Sequence, residues 1–321
     1  MKKTFFSLLM TALLLLTSCG RPTSQGPEDT LTIVTTTYPV YLAVCSVTDG
    51  VEGIAVERLD TGSTSCLHDY NLTVNDMKKL ERADVIALNG AGLEEFLEDA
   101  LATSDALTID CSHGVELLEN ESHHHDEHDH SHDGHDHGHF DPHYWMDPQN
   151  VKVMAENIAD GLTELDGTNQ QRYQTNLLNT LVLLEAWDSN LQDAFHGEWA
   201  DPIEIPGLIT FHDGFRYFCH AYDLPLLESI EEEAGSEASA KEIVEITELV
   251  KEHHIPVIFT EVNGSDATAK AITRETGCAV AQLSMVMDGP DGELSHYLDA
   301  MLKNMAAVLN GFAGETVVVI E

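Results

Sequence analysis

Nine of the 18 histidines in this chain stand between positions 123 and 139: His123, His124, His125, His128, His130, His132, His135, His137 and His139. Their neighbours are Asp, Gly, Ser and Glu, with no apolar side chain to build a core, so the segment reads as a low-complexity loop. Imidazole is a borderline ligand that suits Zn²⁺ and the later transition ions. On a loose backbone, so many imidazoles make weak, interchangeable metal sites. Protonation would release such metal as pH falls through the ordinary imidazole pKa of about 6.5. The run is internal and interleaved with Asp and Gly, which separates it from an expression tag. The bland alternative is a solvated spacer with adventitious affinity.

Three isolated histidines carry a sharper signal. His68 lies in TGSTSCLHDYNLTVNDM, His143 in DPHYWMDP beside the run, and His212 in FHDGFRYF after the apolar segment GLITF. Each falls in a loop at the expected carboxyl end of a strand or just before long helices, where open α/β sheets bind ligands. Three neutral imidazoles suit tetrahedral Zn²⁺ with a fourth position left open. Mn²⁺ prefers oxygen donors and higher coordination, whereas Cu²⁺ and Ni²⁺ would bind three imidazoles at least as well. A ligating imidazole needs a partner for its other nitrogen; Asp69, Asp141, Asp147 and Asp213 are near in sequence. Three histidines and an open position are also the layout of a zinc hydrolase. Against that stands the lack of an HExxH segment; the one HxxEH match, at 124–128, falls inside the low-complexity run and on no helical pattern. A metal-storing or adhesive surface protein is a third reading.

The elements that must position these residues alternate in character. Short β-branched segments at 31–36, 54–59, 84–88 and 107–110 read as strands. Helical patterns fall at 38–48, at 74–82 with Asn75 as cap, and at 93–102. Beyond DPHYWMDP, residues 151–165 and 170–195 read as long helices, the second carrying Leu177, Leu181, Leu184 and Trp187 on one face. Strand and helix then alternate again: strands at 207–211, 224–230, 256–261 and 279–283, helices from 213 and at 239–253, 266–276 and 294–310. This is the pattern of βαβ units and parallel sheets. It predicts an α/β fold of two lobes joined by a long helix, although the halves do not look like sequence repeats.

Composition bounds the partners. The chain has 321 residues, 43% of them hydrophobic, enough for two ordinary cores. With 15 basic against 56 acidic residues and a net charge of −41, it lacks the basic clusters that nucleic acid needs. Lys2 and Lys3 precede an apolar stretch at 5–16 that is short for a membrane span and fits a secretory signal. The Leu-Thr-Ser-Cys-Gly that follows resembles the lipobox of bacterial lipoproteins, with Cys19 the lipidated residue, and 19–30 reads as a tether. Cys45, Cys66, Cys111, Cys219 and Cys278 remain, an odd number without metal-knuckle spacing, and no particular bridge is expected.

His68 with the downstream ERADVIALNGAGLEEFL, then DPHYWMDP, then FHDGFRYF together resemble the metal-binding lipoproteins of bacterial zinc and manganese ABC importers (cluster A-I). The resemblance runs from about residue 31 to 309. It implies an N-terminal lobe over 31–150 including the His-rich loop 122–139, linking helices over 151–200, and a C-terminal lobe over 201–321. The metal would sit in the cleft, with His68 and His143 from the first lobe and its edge and His212 from the second. Manganese-type relatives place a carboxylate where this chain has His212, so the zinc type is implied, and similar His-rich loops recur in zinc-type members. The family commonly supplies a fourth ligand, an Asp, where this chain has Ser284; Asp288 or water are the substitutes. The implied partners are a membrane ABC permease and the membrane itself through the lipid, for a monomer on the outer face of the cell membrane.

Overall fold

The computed structural model describes residues 30–61, 67, 70–120, 139–197, 202–229, 239–262 and 267–320. The secretory signal, Cys19, Cys66, His68, Asp69, and His123 through His137 of the run lie outside the described residues.

The first lobe is built from β1 (Leu31–Thr35), α1 (Tyr38–Val47), β2 (Ile54–Arg58), α2 (Val74–Arg82), β3 (Val85–Leu88), α3 (Glu98–Leu101) and β4 (Leu107–Asp110). Its four strands are parallel in the order β2-β1-β3-β4. The second lobe holds β5 (Leu208–Thr210), α6 (Arg216–Ala221), β6 (Leu226–Ser229), α7 (Ala240–Glu252), β7 (Val257–Glu261), α8 (Ala267–Thr276), β8 (Ala279–Leu283) and α9 (Ser295–Ala313). Its strands are parallel in the order β6-β5-β7-β8. The two lobes therefore share one topology, which their residues do not advertise. In each, the strand order reverses beside the first strand, and this reversal opens a crevice at the carboxyl ends.

Strand alternation divides the apolar residues between two faces. In the first lobe Ile33, Val85 and Ala87 face the main core, while Val34 and Ile86 join Leu59, Leu80 and Leu97 on the other side. In the second, Leu208, Val257 and Phe259 face the main core, and Ile209 and Ile258 pack under α7 and α8 with Ile246 and Ile272. The main core runs without a break from one lobe into the other.

Two helices make the connection, α4 (Pro148–Leu165) and α5 (Gln170–His196). The 27 residues of α5 span about 40 Å at 1.5 Å per residue. Near its start Asn176 donates to the carbonyls of Val47 and Asp49 in the first lobe, both at 2.9 Å. Near its end Gln192 donates to Ala221 O at 2.7 Å, and His196 Nε2 meets Tyr222 O at 2.9 Å, in the second.

Local chemistry moves some expected boundaries. Thr73, not Asn75, caps α2, through a reciprocal box with Asp76. Positive φ angles at Gly90, Ala91 and Gly92 delay the helix expected at 93–102, leaving a 3₁₀ turn over Glu95–Leu97 and the single turn of α3. Cys45, Cys111, Cys219 and Cys278 are free thiols.

Candidate metal centre

His143 is placed by the segment around it. Asp147 caps α4 by accepting from Gln149 N at 2.8 Å, with Pro148 as the first helical residue. The Asp-Pro pair thus stops a buried 3₁₀ turn, Tyr144–Met146, that leads out of His143. Tyr144 Oη donates to Asn89 O at 2.7 Å, and Asn89 Nδ2 donates to Pro142 O at 3.1 Å, so the loop after β3 holds the turn from one side. Tyr297 Oη donates to Trp145 O at 2.8 Å and Tyr217 Oη donates to Asp141 O at 2.8 Å, from the other lobe. Glu94 fixes the β3 loop in turn. Its carboxylate accepts from Asn89 N at 2.6 Å and Gly90 N at 3.0 Å, and burial pushes its pKa up to about 7.

His212 comes from the crevice of the second lobe. It follows β5, and Thr210 Oγ1 donates to its carbonyl at 3.1 Å. Gly214 lets the chain turn away tightly: a Cβ there would run into both the His212 ring and the Met285 side chain.

The two imidazoles meet between the lobes. Their Nε2 atoms are 3.4 Å apart and their rings lie edge to face, 85° between planes. His143 is 7% exposed and His212 1%. Two nitrogens each about 2.0–2.1 Å from one tetrahedral ion stand about 3.3–3.4 Å apart. Behind each ring sits a carboxylate. Asp141 Oδ1 is 2.8 Å from His143 Nδ1, and Glu261 Oε1 is 3.7 Å from His212 Nδ1. The Asp141 contact fixes the tautomer that leaves His143 Nε2 to the metal and raises its basicity, whereas Glu261, beyond hydrogen-bond distance, acts on His212 by its charge. Asp141 and Glu261 are both buried, and burying carboxylates is costly without positive charge nearby. A cation between the imidazoles is therefore the complementary cargo, and an anion is not.

Of the four acidic partners expected, Asp141 alone takes that place among the described residues. Asp147 serves as the helix cap, and Asp213 faces Ser229 Oγ at 3.4 Å, its pKa raised by burial and by the charge of Asp141. Glu261 carries no local motif, and its one signal in the sequence is its position as the last residue of the strand PVIFTE. Ser284 is turned to its own backbone, its Oγ accepting from Val286 N at 3.1 Å. Asp288, which the sequence leaves open beside water as a fourth ligand, is held by Arg58 at 3.2 Å. No third His, Cys, Asp or Glu among the described residues completes a cluster with the pair. Of the run, His139 is exposed at its base, where Glu119 and Phe140 form a bridge and Arg216 donates to Glu119 O at 2.8 Å.

Two α/β lobes of one topology, bridged by a long helix and meeting over two buried imidazoles, define a cleft-type binding protein. The comparisons carry this further: the chain belongs to the family described as "ZnuA: Zinc-uptake complex component A periplasmic", whose profile matches residues 33–311. It is 26% identical over 316 residues to the high-affinity zinc uptake system protein ZnuA of Bacillus subtilis (strain 168), covering 94% of this chain and 95% of that one. It is 25% identical over 331 residues to the manganese ABC transporter substrate-binding lipoprotein PsaA of Streptococcus mitis, covering 98% and 100%. A crystal structure of ZnuA superposes with a TM-score of 0.73 at 26% identity, over 88% of this chain and 100% of that one. The family consists of solute-binding proteins of ABC importers and not of enzymes, which sets the hydrolase reading aside. The chain is an extracytoplasmic metal-binding protein that works with a membrane permease.

Proposed function

We propose that this chain captures zinc through His68, His143 and His212 and delivers it to its permease. The observation that carries the reading is the 3.4 Å separation of the His143 and His212 Nε2 atoms, each ring backed by a carboxylate on its far nitrogen. A manganese site would want oxygen donors directed at the ion. Here Asp141 and Glu261 stand behind the rings and Asp288 is engaged by Arg58. His68 supplies the third nitrogen and water the fourth position. The chain acts as a monomer, tethered to the outer face of the membrane by a lipid on Cys19. The run from His123 to His139 acts as an accessory collector beside the tight site.

Because zinc outbinds manganese at most protein sites, uptake and not affinity tests the ion. A deletion strain rescued by this chain under zinc limitation supports the reading; rescue under manganese limitation alone overturns it. Mass spectrometry of the membrane fraction tests the lipid: an acylated Cys19 at the new N-terminus is expected, and Cys19→Ala protein released to the medium is its counterpart.

A further inference from the structure

The loop after β8, residues 284–292, belongs to the second lobe by sequence yet is fastened to the first. At its start it is tied to its own lobe, where Asn304 accepts from Ser284 N and donates to Ser284 O, both at 2.8 Å. Met285 O then accepts from Trp145 Nε1 at 2.9 Å, and its side chain packs beside Gly214, next to the His212 ring. At Val286, φ is +58° and the chain turns toward β2. There Arg58 takes hold of it. Its guanidinium lies 3.2 Å from Asp288 Oδ1 and 3.6 Å from Asp291 Oδ1, and donates to Gly289 O at 3.2 Å. The same group lies over the rings of Tyr38 and Tyr41, 5.0 and 5.6 Å from their centres. Tyr38 Oη donates to Pro290 O at 2.6 Å, and Gly289 approaches so closely that a Cβ there would strike that hydroxyl.

An ion held between imidazoles this deeply buried cannot leave until a wall moves. The 284–292 loop is such a wall, since it holds Met285 beside His212, and its far end is fixed by charge on a partly exposed surface. With only 15 basic residues against 56 acidic ones, Arg58 is a scarce counter-charge for Asp288 and Asp291. Without it, two carboxylates would face each other at the edge of the cleft and drive the loop away from β2. A guanidinium suits this task because it can stack on aromatic rings while its fork bonds carboxylate and carbonyl.

We propose that Arg58 is a positioning residue that straps the 284–292 loop across the cleft and so sets how fast bound metal escapes. This rests on the zinc-binding reading above. The test is zinc release from the mature protein into excess chelator, followed by stopped flow, with an equilibrium zinc titration on the same samples. Arg58→Gln is expected to release zinc about tenfold faster than the unaltered protein. Added salt should speed release from the unaltered protein, by screening the half-exposed pair, and leave Arg58→Gln unchanged. Arg58→Lys should recover part of the retention and the salt dependence; Asp288→Asn, on the exposed side, should show the same loss without burdening the fold. Equal release rates for Arg58→Gln, Asp288→Asn and the unaltered protein, with tight one-to-one binding in all, would overturn the strap alone. Failure of the unaltered protein to bind zinc tightly would overturn the zinc reading and the strap with it.

Discussion

The two lobes use the same strand order, yet they present their imidazoles in different ways. His143 leaves its sheet altogether and sits at the head of a buried 3₁₀ turn, gripped by Asn89, Tyr217 and Tyr297 from two directions. Its carboxylate partner is two residues away and at full hydrogen-bond contact, 2.8 Å. His212 sits in the crevice of its own sheet, and its carboxylate, on the neighbouring strand β7, stands farther off at 3.7 Å. The first imidazole takes its carboxylate from its own turn, which distant residues hold in place, and the second takes its carboxylate from a neighbouring strand. Binding strength should therefore depend on both rings, but sensitivity to the surroundings should concentrate on the first.

The largest effect that can break this comparison is loss of a ring. His143→Ala and His212→Ala should each weaken zinc binding by orders of magnitude, as read by competition with a chromophoric chelator. Retention of tight binding in either variant would remove that ring from the site. Next come the carboxylates. Asp141→Asn should cost about 10- to 100-fold in zinc affinity and Glu261→Gln toward the lower end of that range, because contact at 2.8 Å orients a ring better than approach at 3.7 Å. A larger loss for Glu261→Gln would reverse the comparison.

A subtler probe lies one step behind His143. Burial raises Glu94 from an ordinary value of 4.5 to about 7, so the folded protein holds a proton there that the unfolded chain gives up. The stability this proton contributes is complete below about pH 4.5 and lost as pH rises through about 7. Urea unfolding of metal-free protein at a series of pH values should show that decline, and Glu94→Gln should flatten it. Parallel pH profiles for the two proteins would count against this. The smallest effect on affinity is expected from deleting 123–139, which should lower the number of weakly held zinc ions in a calorimetric titration and leave one tight site. Abolition of that site would mean the run, and not the cleft, is the principal ligand.

Much of this arrangement could be read from residues before any coordinates. The parallel strands declared themselves through short β-branched runs, and His143 and His212 through their places at loop positions where sheets bind ligands. Other features depended on distant partners and left no local trace. Glu261 looks like the end of an ordinary strand until β5 lies beside it. Asp288 looks available until Arg58, 230 positions earlier, is found against it. The shared strand order is carried by the hydrogen-bond ladder and not by matching side chains, so the halves concealed it. The late start of α3 came from backbone angles at Gly90–Gly92 that apolar periodicity does not report.

The unbroken core between the lobes has a consequence for how the molecule comes apart. Residues 31–321 form one compact unit, and Trp145, Tyr297 and Met285 belong to the same apolar cluster as Val40 and Leu309. Neither lobe could be cut away without exposing a face of that cluster to water, so neither is an autonomous folding domain. Melting should follow a single cooperative transition by calorimetry and circular dichroism alike. The two walls of the imidazole cleft thus depend on each other to fold.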